Sequence, residues 1–112
     1  MELHVSHEEG YVLADASGLI DDTAGDLFRE YLHPLVQQRG TKLILDLSKA
    51  KRVNSAGLSH LVMLATNANT NSSRVMLAAC SPFISEVLRR SKLDQFFDIA
   101  QDIPEAVNRV LD

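Results

Sequence analysis

Lys42-Leu-Ile-Leu-Asp-Leu47, the polar run Ser48-Lys-Ala-Lys-Arg-Val-Asn54, and Ser55-Ala-Gly-Leu58, which opens a stretch carrying Leu61, Val62, Ala65 and Ala68, decide how this chain folds. A compact apolar run bounded by turn-type residues suits a strand covered on both faces, whereas apolar residues at steps of three and four mark one face of a helix. A second apolar run, Arg74 to Cys80, follows. The order strand, helix, strand predicts a right-handed unit with two parallel central strands. Between the first strand and the helix the chain crosses a polar loop and enters the helix at Asn54 or Ser55.

Residues 2–7 and 10–16 are short and β-leaning, with Glu9-Gly10 as a tight-turn signal, and read as an antiparallel hairpin. From Thr23 the period changes. Ala24, Leu27, Phe28, Tyr31, Leu32, Leu35 and Val36 share one helical face; Asp21, Asp22 or Thr23 can cap its start and Gly40 can stop it. Pro34 falls inside this helix, and a mid-helix proline removes a donor and collides with the preceding turn, so a kink between Glu30 and Pro34, or an early end, is expected.

Ser81-Pro82 reads as an N-cap with proline at the first helical position, opening a helix with Ile84, Val87 and Leu88 inward that ends near Ser91. Residues 96–100 read as a last edge strand, and residues 103–111 as a helix with Ala106, Val107, Val110 and Leu111 on one side. The expectation is one α/β domain over residues 1–112, a mixed sheet of about four to five strands with helices packed mainly on one face.

Composition narrows the function. At 112 residues the chain has the size of a single domain. Eleven Lys and Arg against 15 Asp and Glu leave a net charge of −4, which offers no electrostatic footprint for nucleic acid. A hydrophobic share of 46% can fill a core. The lone Cys80 cannot form an internal disulfide, and at the end of an apolar strand it reads as a small core residue. No basic start with an apolar run and cleavage site opens the chain. The longest apolar runs, broken by Asp46, Asn67 and Ser81, fall short of the ~18 residues of a membrane span. A cytoplasmic protein without a membrane partner is expected.

Ser55 places a hydroxyl at a helix start, where first-turn N–H groups are unpaired and the dipole favours anions. Phosphorylation there would add roughly −1.5 to −2 charges and three acceptor oxygens, enough to break a neutral interface. The plainer reading is that Asn54 and Ser55 are ordinary helix caps, worth ~1 kcal/mol. Lys49, Lys51 and Arg52 precede Ser55 and are either simply solvated or meet an acidic partner surface or a partner's nucleotide.

An enzyme would need a base beside its nucleophile. The trio Ser55, His60 and Asp46 fails, because at ~100° per residue His60 points about 140° away from Ser55 on the same helix. Val53 stands two before Ser55, so no nucleophile elbow is formed. His4 and His7 face opposite sides of a strand, and neither His33 nor His60 has a ligand at metal-binding spacing. No catalytic residue, metal ligand or phosphate-binding glycine loop is expected.

The run from Asp46 to Leu58, the earlier Gly18-Leu-Ile-Asp-Asp-Thr-Ala24, and the later Ser81-Pro-Phe-Ile-Ser-Glu-Val-Leu88 with Ser91-Lys-Leu93 and Phe97-Asp-Ile99 together resemble the STAS domain of bacterial anti-sigma factor antagonists. The resemblance spans nearly the whole chain. The family's signature is Asp-Ser-(Ser/Thr)-Gly-(Leu/Ile) at a helix start, its first Ser the phosphoacceptor; the matching residues here are Asn54-Ser55-Ala56-Gly57-Leu58. The resemblance implies that Ser55 is the phosphoacceptor and that Asp21, Asn54, Ser55, Ala56, Gly57 and Leu58 face a partner, with Lys51 and Arg52 beside them.

It further implies a regulator by partner exchange. The unphosphorylated protein binds an anti-sigma factor and frees a sigma factor; the anti-sigma factor, a GHKL-type serine kinase, phosphorylates Ser55 from ATP and breaks the complex; a PP2C-type phosphatase resets it. The nucleotide belongs to the partner, so no cofactor is expected here. The exposed hairpin edge suits a monomer or weak dimer.

Two residues depart from the signature. Asn54 replaces Asp, so it can cap the helix but holds no charge. Ala56 replaces the second hydroxyl and leaves Ser55 as the only one in the signature. Asn54 motivates an alternative: a scaffold-type STAS subunit of a sensory or transport complex, whose binding is independent of phosphorylation.

Overall fold

In the computed structural model, which describes residues 1–112, β1 (Glu2–His7) and β2 (Val12–Ile20) form the expected hairpin, from Glu2 opposite Ser17 to His7 opposite Val12. β2 runs on past Ala16, and the reason lies at Gly18. That residue sits at φ +81°, which glycine tolerates without strain, and a bulge between Gly18 and Leu19 hands the strand from one neighbour to another. Val12 to Asp15 pair in parallel with β3 (Lys42–Asp46), while Gly18 to Ile20 pair in parallel with β4 (Ala50–Val53).

The polar loop expected between Asp46 and the helix is therefore in part a strand. Ala50 and Val53 are buried while Lys51 and Arg52 are exposed. So short and charged a segment shows no period of its own, and pairing with β2 supplies the structure. With β5 (Arg74–Ala78) and β6 (Asp98–Ala100) the sheet order is β1-β2-β3-β5-β6, with β4 beside β2, six strands in all; only the β1–β2 pair is antiparallel. β6 is shorter than expected because Phe96 and Phe97 form an edge-to-face pair in the turn before it, with Phe97 buried.

The first helical segment, α1, covers residues 22–36 and neither stops nor breaks at Pro34. It contains a 3-10 turn (Asp22–Ala24), a short α stretch (Gly25–Leu27), a π turn (Phe28–Leu32) and a last α turn (His33–Val36). In the π turn the His33 N–H donates to the Phe28 carbonyl, and this widening ahead of Pro34 absorbs the ring that a regular helix would exclude.

Helix α2 (Ser55–Thr70) buries Leu61, Leu64 and Ala68, and α3 (Pro82–Arg90) buries Ile84 and Leu88. Both, with Phe28, Leu32 and Val36 of α1, cover one face of the sheet, against Ala14, Ala16, Leu43, Leu45, Val75 and Leu77. Leu64 lies outside the stripe read from the sequence, whereas Val62 and Ala65 sit at its half-buried margin. Helix α4 (Ile103–Leu111) alone covers the opposite face, setting Ala106 and Val110 on Ile44, Met76, Ala78 and Ala100. Leu111, expected on its inner side, is half exposed beside Gly10 of the hairpin turn. Asp98 is shared by Arg74 and Arg109, which ties β5, β6 and α4 together. No helix is long and apolar enough to cross a membrane.

Candidate functional site at the tip of helix α2

Asn54 is the cap of α2. Its backbone is extended, its Oδ1 accepts the Gly57 N–H at 2.9 Å, and its own N–H donates to the Ile20 carbonyl at 3.3 Å. The end of β2 thereby holds the start of α2. Ser55 is the first helical residue and is exposed, while Ala56 and Leu58 are half-buried. Gly57 is fully buried because the helix comes down directly on Ile20: a β-carbon there would collide with the Ile20 carbonyl and lie 2.9 Å from Val53 Cγ2. The glycine of the signature is required by this close approach.

Asp21 stands at the other end of the same junction. Its Oδ1 accepts the Thr23 hydroxyl at 2.6 Å and the Thr23 N–H at 3.0 Å, capping the first turn of α1. These two bonds, the hydroxyl's first, hold the carboxyl below its ordinary range, so Asp21 is an anion at neutral pH. It is both a helix cap and a surface residue of the site. Asp21 and Asn54 line one shallow depression of about 240 Å³ with Leu19, Ile20, Arg52, Val53 and Phe83.

Leu19 and Phe83 are 49% and 41% exposed, high for large apolar residues, and the Arg52 guanidinium lies over the Phe83 ring, 5.5 Å from its centroid. Lys49 and Lys51 line a neighbouring depression that shares Phe83. Lys49 is 3.5 Å from Asp15, whereas Lys51 and Arg52 have no ion-pair partner. Sequence reasoning missed Leu19 and Phe83, although a signal existed for each. Leu19 is out of phase with the inward Ala14, Ala16 and Ile20, and Phe83 lies one helical step, about 100°, off the Ile84/Leu88 face.

The hydrolase trio is not assembled. His60 stacks on Phe28 at 5.4 Å and lies over Gly25 of α1, and Asp46 accepts the Ser48 N–H. Burial pushes the Cys80 thiol up to about 11, so it is an unreactive thiol at neutral pH.

A sheet flanked by three helices on one face and one on the other, with a signature serine at a glycine-pinned helix tip, belongs to a known family: this chain is a member of the STAS domain family, whose model matches residues 3–106. Solved structures share the fold. An anti-sigma factor antagonist from Mycobacterium paratuberculosis superposes with a TM-score of 0.86 at 21% identity, covering 99% of this chain and 94% of that one. A STAS-domain anti-sigma-factor antagonist from Planctomyces limnophilus gives 0.83 at 17%, covering 98% of each chain. The Bacillus cell fate determinant SpoIIAA in its phosphorylated form gives 0.73 at 19%, covering 97% of this chain and 99% of its own.

Proposed function

We propose that this protein is a bacterial, cytoplasmic anti-sigma factor antagonist that acts by binding, with Ser55 as its phosphoacceptor. Unphosphorylated, it docks the face formed by Asp21, Lys51, Arg52, Asn54, Ser55, Ala56 and Leu58, with Gly57 buried beneath them, on an anti-sigma factor that is a GHKL-type serine kinase. Transfer of a phosphoryl group from the kinase's ATP to Ser55 Oγ, with loss of the hydroxyl proton, releases the partner; a PP2C-type phosphatase returns the hydroxyl. Phosphoryl transfer is the partner's chemistry. The observation that carries the reading is the exposed Ser55 hydroxyl at the first position of α2, in the signature's phosphoacceptor place, beside a cap whose own oxygen is committed to Gly57.

A phosphate buried against a partner there leaves an unmatched interfacial charge, which costs ~2–5 kcal/mol, and every ~1.4 kcal/mol is tenfold in affinity. One modification suffices as a switch. The test is mass spectrometry of the Ser55 peptide from native cells before and after phosphatase treatment, with partner capture by Ser55→Ala in the presence of ATP. Phosphate on Ser55 and retention by the alanine variant are expected; an alanine variant still released by ATP would sink the reading.

One observation favours a second reading. Asn54 is neutral where the signature has an acid, which suits a scaffold subunit that binds irrespective of phosphorylation. Partner binding that is indifferent to ATP, with Ser55 unmodified in every growth condition, selects it.

A further inference from the structure

The sheet has three free edges, and two of them are guarded by side chains. On β6 the outward carbonyl of Ile99 accepts the Arg109 guanidinium at 2.8 Å. On β4 the Ala50 carbonyl accepts the Ser81 hydroxyl at 2.8 Å, and Lys51 and Arg52 stand exposed. Occupied backbone groups and charges are how proteins keep an edge from pairing with another chain. β1 has neither along its middle. Its six residues, Glu2-Leu-His-Val-Ser-His7, contain no proline, glycine or lysine, and they pair with β2 without a bulge.

The ladder itself says which groups of β1 are bare. In an antiparallel pair, residues that exchange hydrogen bonds alternate with residues that do not. The Glu8 N–H donates to the Tyr11 carbonyl at 2.9 Å, so in the same register the bonded pairs are Ser6 with Leu13, His4 with Asp15 and Glu2 with Ser17. The next residue of β2, Gly18, accordingly turns its N–H the other way, to the Lys49 carbonyl. The N–H and C=O groups of Leu3, Val5 and His7 therefore point away from β2, and no other group of the chain meets them.

We propose that a second copy of this chain pairs with this edge, β1 antiparallel to β1, with His4 on the two-fold axis. Bare groups are satisfied only by another bare edge, and every copy carries one. Because outward residues must face outward residues, the axis passes through a residue, and the two registers with the most overlap are centred on His4 or on Val5. Centred on Val5, Glu2 opposes Glu8 at two symmetric places, which is unfavourable. Centred on His4, Leu3 meets Val5 twice, Glu2 meets Ser6, and no carboxylate faces another. Leu3 and Val5 are half-buried at the margin of the core under α1 to α3, so these pairs carry that core across the axis, while Glu2 and His4 remain exposed on the opposite face.

A contact one strand wide is small, and small interfaces are weak, so the measurements run up to about 1 mM protein. Sedimentation equilibrium should show a concentration-dependent dimer. His4→Lys, an exposed change that faces Asp15 within its own chain, sets two cations on the axis and should weaken the dimer by about tenfold or more. Amide exchange followed by NMR reads the edge directly: the Leu3 and Val5 N–H groups should exchange more slowly as concentration rises, while those of His4 and Ser6, bonded to β2, stay unchanged. Under mild oxidation His4→Cys should cross-link into a covalent dimer, its two α-carbons facing at about 4.5 Å, whereas Val5→Cys, displaced by two residues from its own copy, lies beyond the roughly 7 Å reach of a disulfide. A chain that stays monomeric at about 1 mM leaves the edge to a foreign strand and overturns the inference. So does a dimer indifferent to His4→Lys, or cross-linking through Val5→Cys in place of His4→Cys.

Discussion

The carbonyl of Ile20 fills the space that a β-carbon on Gly57 would need, with its carbon atom 2.6 Å from that position. A helix-interior glycine ordinarily costs about 1 kcal/mol relative to alanine. Here the missing side chain lets the tip of α2 rest on the end of β2, and the Asn54 N–H bonds the same carbonyl.

Gly57→Ala should therefore destabilise the fold by about 2–4 kcal/mol, although helix propensity alone predicts a gain of about 1. Urea denaturation of the variant beside wild type decides between the two signs. A gain would mean that the tip of α2 stands off from Ile20.

Ser55→Glu separates folding from binding. An acidic residue in the first turn of a helix is favourable by ~0.3–1 kcal/mol, so its thermal midpoint should equal or slightly exceed that of wild type. Affinity for the captured partner should nevertheless fall by about a hundredfold, which corresponds to ~2.7 kcal/mol. Calorimetric binding together with a melting curve reads both.

Asn54→Ala removes the oxygen that accepts the Gly57 N–H and should cost about 1 kcal/mol of stability. Asn54→Asp keeps that bond and adds a charge at the helix N-terminus, so denaturant midpoints should rank Asp at or above Asn, and Asn above Ala. With the cognate kinase in hand, the Asp variant should be phosphorylated at least as fast as wild type.

His33 gives the fold a mild acid sensitivity. Burial first, and the neighbouring His60 second, hold its imidazole below the ordinary 6.5, and its Nδ1 accepts the Asn67 amide at 2.8 Å, which requires the neutral ring. Above about 6.5 both folded and unfolded chains carry the neutral form. As pH falls below it the unfolded chain takes the proton first, so stability declines until the lower folded value is passed. His33→Gln should flatten the fall in thermal midpoint between about pH 7 and pH 5. An unchanged slope would place the acid sensitivity on another group.

Periodicity made most of this architecture legible: both central strands, the hairpin, α2 to α4, and the position of Ser55 at a helix start follow from spacing and caps. What escaped was set by tertiary partners. Residues 50–53 become β4 only because β2 bends at Gly18 and offers an edge, and four residues with two adjacent cations carry no period of their own. Pro34 signalled trouble in α1, but only packing of Phe28 and Leu32 into the core explains why a widened turn beats a stop. The site was half visible. Asn54 and Ser55 stood in the signature and Asp21 and Arg52 in the stretches leading into the helices, while Leu19 and Phe83 come from segments far apart in sequence and become one surface only when β2 and α3 are in place.

The division of β2 at Gly18 leaves the two halves of one strand unequally secured. The length from Val12 to Asp15 is secured between β1 and β3, but Gly18 to Ile20 lean on little β4, and the α2 tip is moored to Ile20. Residues 18–20 have one partner strand where residues 12–15 have two, so amide exchange along this one strand should run faster at its end than at its middle.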